Sequence, residues 1–410
     1  MAILKNEPVY PFEKGNYCKP HHIIVKGSWK EIGFDLATIG KNDYGVQLLP
    51  YFSPIYGQAR REYWAQNWPH VAELQKGVLK AFGHPEDSDE FDGTNLNFDW
   101  YDTERSGLSL GGNTCSGLVL PPEKSEGGSV FVGRNLDFHA AVEWTTTLGK
   151  KVPEDAWGAC ERPVVIEFQP EEGYRSIMAS TNELLMPWVD GINEKGLWMS
   201  CMHDPAGVGA DGSPPGGGDV SGLVVTQLHQ LLLTTCATVE EAKKAILKNR
   251  VMQTLMNLHI PIADATGAAT VFEIDQKTGA YVFADRVAGE PLFSTNHPIH
   301  TWPTPDTYPE VDMTEEHNTF VRQIILREAY GKLKPPFTLD DAENLINTVH
   351  CSFVDSAKAC AQAGERTLVH TKIDLSKPEI HFKWYLRDVA PISGTNYMQD
   401  AMSDFYTFGF

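Results

Sequence analysis

The hydrophobic positions change period along the chain. Between residues 58 and 82 the apolar residues Tyr63, Trp64, Trp68, Val71, Leu74, Val78 and Leu79 recur near every 3.6 positions, which predicts helix. Pro69 lies inside that run and must kink or split it, because proline lacks the N–H of the helical ladder. Upstream, residues 22–25 read as a strand. Ser28 followed by Glu31 is a capping box that predicts a helix start. After a Gly- and Asn-containing stretch at 83–97, short apolar runs come in pairs. Residues 129–132, 164–168 and 176–179 read as strands, and 189–202, 260–274 and 367–382 as hairpins with turn residues at their centres. Helices are expected at 223–233, 238–249, 314–330 and 339–349, the second capped by Thr238. Hairpins imply antiparallel sheets, and helices grouped between them predict a layered α+β architecture.

Length and composition narrow the class. The chain has 410 residues, 42% hydrophobic and 21% charged, enough to build a large core and too apolar for disorder as the main state. The net charge of -20 argues against nonspecific binding to nucleic acid or to anionic membrane. The apolar run at 223–234 is interrupted by Gln227, His229 and Gln230 and is too short to span a bilayer. Seven widely spaced cysteines include no CxxC pair, so neither a zinc ribbon nor a thioredoxin-like site is indicated. These features predict a soluble, reduced, cytoplasmic protein. His21 and His22 are neighbours that a strand would point to opposite faces, so no metal site is expected there.

Candidate chemistry concentrates around one cysteine. Asn113-Thr114-Cys115-Ser116-Gly117 is followed by Gly133-Arg134-Asn135-Leu136-Asp137-Phe138. A strand, a turn and a returning strand would bring Arg134 and Asp137 to Cys115. A guanidinium beside a thiol favours the nucleophilic thiolate. Asp137 would hold Arg134 or accept a proton from an amine. Taken alone, these residues fit better a small buried cysteine beside an ordinary ion pair, and they name no function.

The pattern resembles the start of the mature chain in N-terminal-nucleophile hydrolases. The similarity is to the acyl-coenzyme A:6-aminopenicillanic acid acyltransferase (isopenicillin N acyltransferase) group, together with choloylglycine hydrolase and penicillin V acylase. Four further stretches resemble that family in the right order: Gly27-Ser28-Trp29-Lys30-Glu31-Ile32-Gly33, Asp190-Gly191-Ile192-Asn193-Glu194-Lys195-Gly196-Leu197, Ile262-Ala263-Asp264 with Thr266-Gly267, and Ser294-Thr295-Asn296-His297-Pro298. The resemblance implies a four-layer αββα sandwich of two antiparallel sheets. Residues 1–114 would form a largely helical propeptide or small chain, and 115–410 the catalytic chain.

It also implies a mechanism. Cys115 would attack the Thr114 carbonyl, cut the Thr114–Cys115 bond, and become the N-terminal residue of a new chain. Its α-amine, of ordinary pKa about 7.7–8.0, would then serve as general base. Arg134 would stabilise thiolate or acyl intermediate, Asp137 would orient the amine, and Asn296 would donate its amide to the oxyanion. His203 and Arg366 are candidates for substrate or site contacts. The 207–218 loop and the segment at Tyr174 and Arg175 are candidate pocket walls. The substrate would be a small N-acyl amide, with an acyl-coenzyme A donor as an alternative acyl source and no metal or organic cofactor required. The two chains would stay associated, and a homo-oligomer is compatible with the apolar C-terminal tail. Two other readings are a conventional Cys–His hydrolase without self-cleavage, using His139 or His203, and a non-catalytic binding relative.

Overall fold

The computed structural model describes residues 3–96, 114–140, 160–204, 222–253, 257–275, 277–314, 318–353 and 365–410, with the side chain of residue 139 left aside. The strands are β1 (Ile3–Pro8), β2 (His21–Gly27), β3 (Thr114–Val119), β4 (Phe131–His139), β5 (Val164–Pro170), β6 (Ser176–Ser180), β7 (Asp190–Asn193), β8 (Trp198–Ser200), β9 (Met202–His203) and β10 (Leu223–Val224). They continue with β11 (Val251–Met252), β12 (Leu258–Ala263), β13 (Ala269–Ile274), β14 (Tyr281–Asp285), β15 (Leu292–Ser294), β16 (Glu365–Asp374), β17 (Glu379–Pro391), β18 (Met398–Met402) and β19 (Tyr406–Gly409). The helices are α1 (Trp29–Asp43), α2 (Pro54–Asn67), α3 (Pro69–Ala81), α4 (Leu228–Thr235), α5 (Val239–Leu247), α6 (Thr319–Tyr330) and α7 (Leu339–Asn347).

Two main sheets result. The larger runs β1-β2-β5-β6-β7-β8-β12-β13-β14, with β9 also on β12. The smaller runs β15-β3-β4-β16-β17-β18, with β19 also on β17. Strand alternation divides the apolar residues into three layers. Ile23, Val25, Val164, Ile166 and Phe168 of the larger sheet pack with Ile32, Leu36, Leu74, Val78 and Leu231 of the helices. Val165, Ile177 and Ile192 of the same sheet meet Val119, Val132, Leu136 and Ile373 of the smaller one. Leu118, Phe131 and Phe293 on the far side pack under Leu326, Leu345 and Ile346 of α6 and α7. The architecture is therefore the expected αββα sandwich. Each fully buried Leu, Ile or Phe contributes roughly 1.5–3 kcal/mol.

Close approaches need small residues. A Cβ on Gly77 would lie 2.0 Å from the Lys30 carbonyl oxygen, so glycine lets α3 cross α1 backbone to backbone. A Cβ on Gly133 would lie 2.8 Å from the Ala342 carbonyl oxygen, so glycine seats α7 directly on β4. The capping box forms as expected: Ser28 N–H donates to Glu31 Oε2 at 3.0 Å, and Glu31 N–H to Ser28 Oγ at 3.4 Å. Pro69 splits the long helical run into α2 and α3.

Some boundaries differ from expectation. Residues before Cys115 carry α1, α2 and α3 together with β1 and the expected strand β2, which enter the larger sheet, β2 pairing with β5 in parallel. No hairpin links β2 to β5, which frees the direction of pairing. The helix expected at 223–233 starts only at Leu228, because Leu223 and Val224 pair with β11 instead. α6 starts at Thr319 rather than 314, where Asn318 Oδ1 accepts from Phe320 N–H at 2.9 Å. The Gly-rich 207–218 stretch lies outside the described residues. Among the described residues, no helix is long and apolar enough to cross a membrane.

Candidate active site

Cys115 is the second residue of β3, and the strand's alternation decides what it meets. Its side chain joins the layer between the sheets, whereas Leu118 joins the layer under α6 and α7. Cys115 is buried, and so are the groups around it. Arg134 Nη2 reaches Cys115 Sγ at 3.5 Å and donates to the Cys201 carbonyl at 3.1 Å. The Cys115 backbone N–H donates to Asn296 Oδ1 at 2.8 Å. The Cys115 carbonyl accepts from Arg322 Nη1, which also donates to Ser116 Oγ at 2.8 Å. Arg322 Nη2 donates to Asn296 Oδ1 at 2.7 Å. Thiol, amide and carbonyl of one residue are thus each held by a different buried side chain.

The electrostatics differ from expectation at the thiol. Burial raises the Cys115 pKa; Arg134 pulls it down, Asp137 pushes it up, and Arg322 and the His203 backbone N–H pull it down again. Burial prevails, so the continuous chain holds a neutral thiol rather than the thiolate expected beside a guanidinium. Asp190 of β7 also feels Arg134. Burial pushes its carboxyl up to about 6 against that attraction, and Trp198 Nε1 donates to its Oδ1 at 2.6 Å.

Asp137 is near Cys115 but does not hold Arg134. They are three steps apart on an extended strand, so they point to opposite faces. Asp137 pairs across with Thr114, whose hydroxyl lies 3.2 Å from Asp137 Oδ2 and 2.8 Å from Glu365 Oε1. The Thr367 hydroxyl donates to Asp137 Oδ1 at 2.6 Å. Both flanks of the Thr114–Cys115 bond are therefore gripped, the acids on the Thr114 side and the arginines on the Cys115 side.

Other expected residues fall elsewhere or act differently. Arg366 does not engage Cys115: its guanidinium makes a two-pronged pair with Asp388, at 2.7 and 2.8 Å, and donates to the Phe353 carbonyl. Glu365 and Thr367 share the face toward Asp137, and alternation puts Arg366, paired with Phe138, on the face of Cys115 and Arg134, where Asp388 and the Phe353 carbonyl take up its guanidinium. Tyr174 sits just before the β6 end that pairs with Asn193, under Lys195 at 5.3 Å, whereas the site lies toward Asp190 and Ser200. His203 is present through its backbone, its carbonyl accepting from Asn296 Nδ2 at 2.6 Å. What His203 offers the Cys115 thiol is its backbone N–H. The His139 side chain lies outside the described residues.

Arg322, Glu365, Thr367 and Asp190 were not singled out from the sequence as site residues. Arg322 did leave a trace: it stands one turn before Leu326 on the buried stripe of α6, an odd place for a charge. Among the described residues, no group of three His, Cys, Asp or Glu side chains is placed to hold a metal.

Solved structures of similar shape include two variants of a conjugated bile acid hydrolase from Clostridium perfringens. They share 16% and 17% identity, cover 72% of this chain and 97% of theirs, and give TM-scores of 0.48 and 0.49. A penicillin V acylase from Agrobacterium tumefaciens shares 19% identity over 66% of this chain and 83% of its own, with a TM-score of 0.43. No curated protein matched by sequence. The sequence model of the linear amide C–N hydrolases of the choloylglycine hydrolase family matches residues 115–332, more than half of the chain and starting at the site cysteine. The chain belongs to that family.

Proposed function

We propose that this protein is a self-processing cysteine amide hydrolase. Family membership supports hydrolysis of a linear amide C–N bond. The observation that carries the finer reading is the threefold hold on Cys115 by Arg134, Asn296 and Arg322. In the first step Cys115 Sγ attacks the Thr114 carbonyl carbon, the C–N bond to Cys115 breaks, and its nitrogen takes up a proton. Water hydrolyses the resulting thioester, leaving Thr114 with a carboxylate and Cys115 with a free α-amine.

The same contacts then serve the second reaction. The new amine inherits Asn296 Oδ1 as its acceptor, and Arg322 keeps the Cys115 carbonyl fixed. The amine takes the thiol proton, the thiolate attacks a small N-acyl amide, and the acyl group rests on Sγ until water removes it. Asn296 Nδ2 is engaged by the His203 carbonyl in the continuous chain, so donating to an oxyanion requires that bond to be exchanged. The small chain stays bound after cleavage, because β2 is hydrogen-bonded along β5 and α1 and α3 share a core with the larger sheet.

The test is a panel of N-acyl amides assayed for released amine, with hydroxylamine added to trap the acyl-enzyme as a hydroxamate. Hydroxamate from the wild type and none from Cys115→Ala is the expected result. Equal amine release by Cys115→Ala overturns the reading.

A further inference from the structure

Asn296 is held from behind by an ion network that the proposed chemistry does not use. His259 of β12 is buried, 1% exposed, with both ring nitrogens engaged. Nε2 lies 2.7 Å from the Thr295 carbonyl oxygen, and Nδ1 lies 3.2 Å from Glu273 Oε1 on β13. Glu273 also accepts the backbone N–H of Ile299 at 2.6 Å on Oε1 and of His300 at 2.9 Å on Oε2. His300 Nδ1 lies 2.5 Å from Glu273 Oε2, and its Nε2 lies 3.2 Å from Asp275 Oδ2.

Proton counting fixes the charge. A carbonyl oxygen only accepts, so His259 Nε2 carries a hydrogen. Both Glu273 oxygens accept backbone N–H groups, and its carboxyl is held down at about 2 despite burial, through hydrogen bonds from His259 and His300. An ionised carboxylate cannot donate, so His259 Nδ1 carries a hydrogen as well. The other charged or titratable groups acting with His259 are Asp204, which favours its protonation, and His297, whose own protonation it opposes.

The carbonyl that His259 holds belongs to the same peptide plane as the Asn296 N–H. That N–H donates to Thr319 Oγ1 at 2.7 Å, at the start of α6. The plane is pinned at both ends, and the Asn296 side chain leaves it toward the Cys115 nitrogen. We propose that His259 is a positioning residue: as a buried imidazolium it clamps the Thr295–Asn296 peptide and sets Asn296 Oδ1 against Cys115. Its catalytic importance rests on the function proposed above, and its structural part does not.

Both structural readouts use the full Cys115→Ala chain, which cannot react. In 15N-histidine-labelled protein at pH 7, both His259 ring nitrogens show the imidazolium shift. Adding His259→Gln speeds hydrogen exchange of the residue 115 amide about tenfold, as expected when an acceptor is misplaced, with the rest of the larger sheet unchanged. Should that double variant fail to fold, Glu273→Gln replaces it and gives a neutral His259 spectrum with faster exchange. A neutral His259 in the Cys115→Ala chain, or unchanged exchange at residue 115, overturns the proposal. In the reactive chain, His259→Gln lowers kcat about tenfold at unchanged KM, the signature of misplaced groups rather than lost binding. Failure of the wild type to release amine sinks the proposed function instead, and leaves both structural readouts standing.

Discussion

Asn296 Oδ1 accepts the backbone N–H of Cys115 at 2.8 Å, joining the loop after β15 to the nitrogen that self-cleavage would free. The asparagine thereby meets the nucleophile residue through its nitrogen, not through the thiol. Asn296→Ala removes this acceptor and the bond to the His203 carbonyl together. Acyl transfer is expected to slow by about two to three orders of magnitude. Single-turnover kinetics, with circular dichroism as the control for fold, checks it. An unfolded variant would show that Asn296 only supports the loop.

Arg322→Lys keeps a positive charge but loses the planar fork that serves the Cys115 carbonyl, Ser116 Oγ and Asn296 at once. Cleavage and turnover are expected to fall by about tenfold or more, while Arg322→Leu falls further. Following precursor loss by gel over hours measures this. Wild-type rates in both variants would remove Arg322 from the site.

Arg366→Ala separates the two arginines. Arg366 pairs with Asp388 and not with Cys115, so its loss is expected to cost about 1–2 kcal/mol of stability and to leave cleavage unchanged. Urea unfolding and cleavage kinetics on the same preparation decide between stability and catalysis.

His229 supplies a pH test. Neither of its ring nitrogens has a hydrogen-bond partner among the described residues, and burial, with Arg134 adding to it, brings its pKa down to about 3. Unfolded, the ring titrates near 6.5. Between these values the unfolded chain binds a proton that the folded chain refuses, so stability falls as pH drops below about 6.5. His229→Leu removes this term and gains on the wild type by about 1.4 kcal/mol per pH unit over that range. Urea unfolding at pH 7.5, 6 and 5 measures the difference, and a difference that stays constant contradicts the burial argument.

Local patterns were legible in the sequence because local physics decides them. The capping box at Ser28, the split at Pro69 and the hairpin that returns after Gly196 all follow from neighbours within a few residues. Arg134 and Asn296 reach Cys115, Asp137 reaches only the flanking Thr114, and all were found through motifs. The arginine on the Cys115 carbonyl was not. Arg322 and Arg366 are both isolated, buried arginines near strand or helix starts, and only the tertiary packing of α6 against β3 brings one to the Cys115 carbonyl. The separation of Asp137 from Arg134 was readable in principle, since three steps along a strand reverse the face. The charge state of Cys115 was not, because it depends on how deeply the two sheets bury the thiol.

Intact mass with N-terminal sequencing on freshly purified wild-type protein tests the central claim most directly. The account predicts two associated chains, the larger beginning Cys115-Ser116-Gly117, and a single uncut chain for Cys115→Ala. A wild type that stays one chain, with Cys115 unreactive toward acylating thiol reagents, would contradict it.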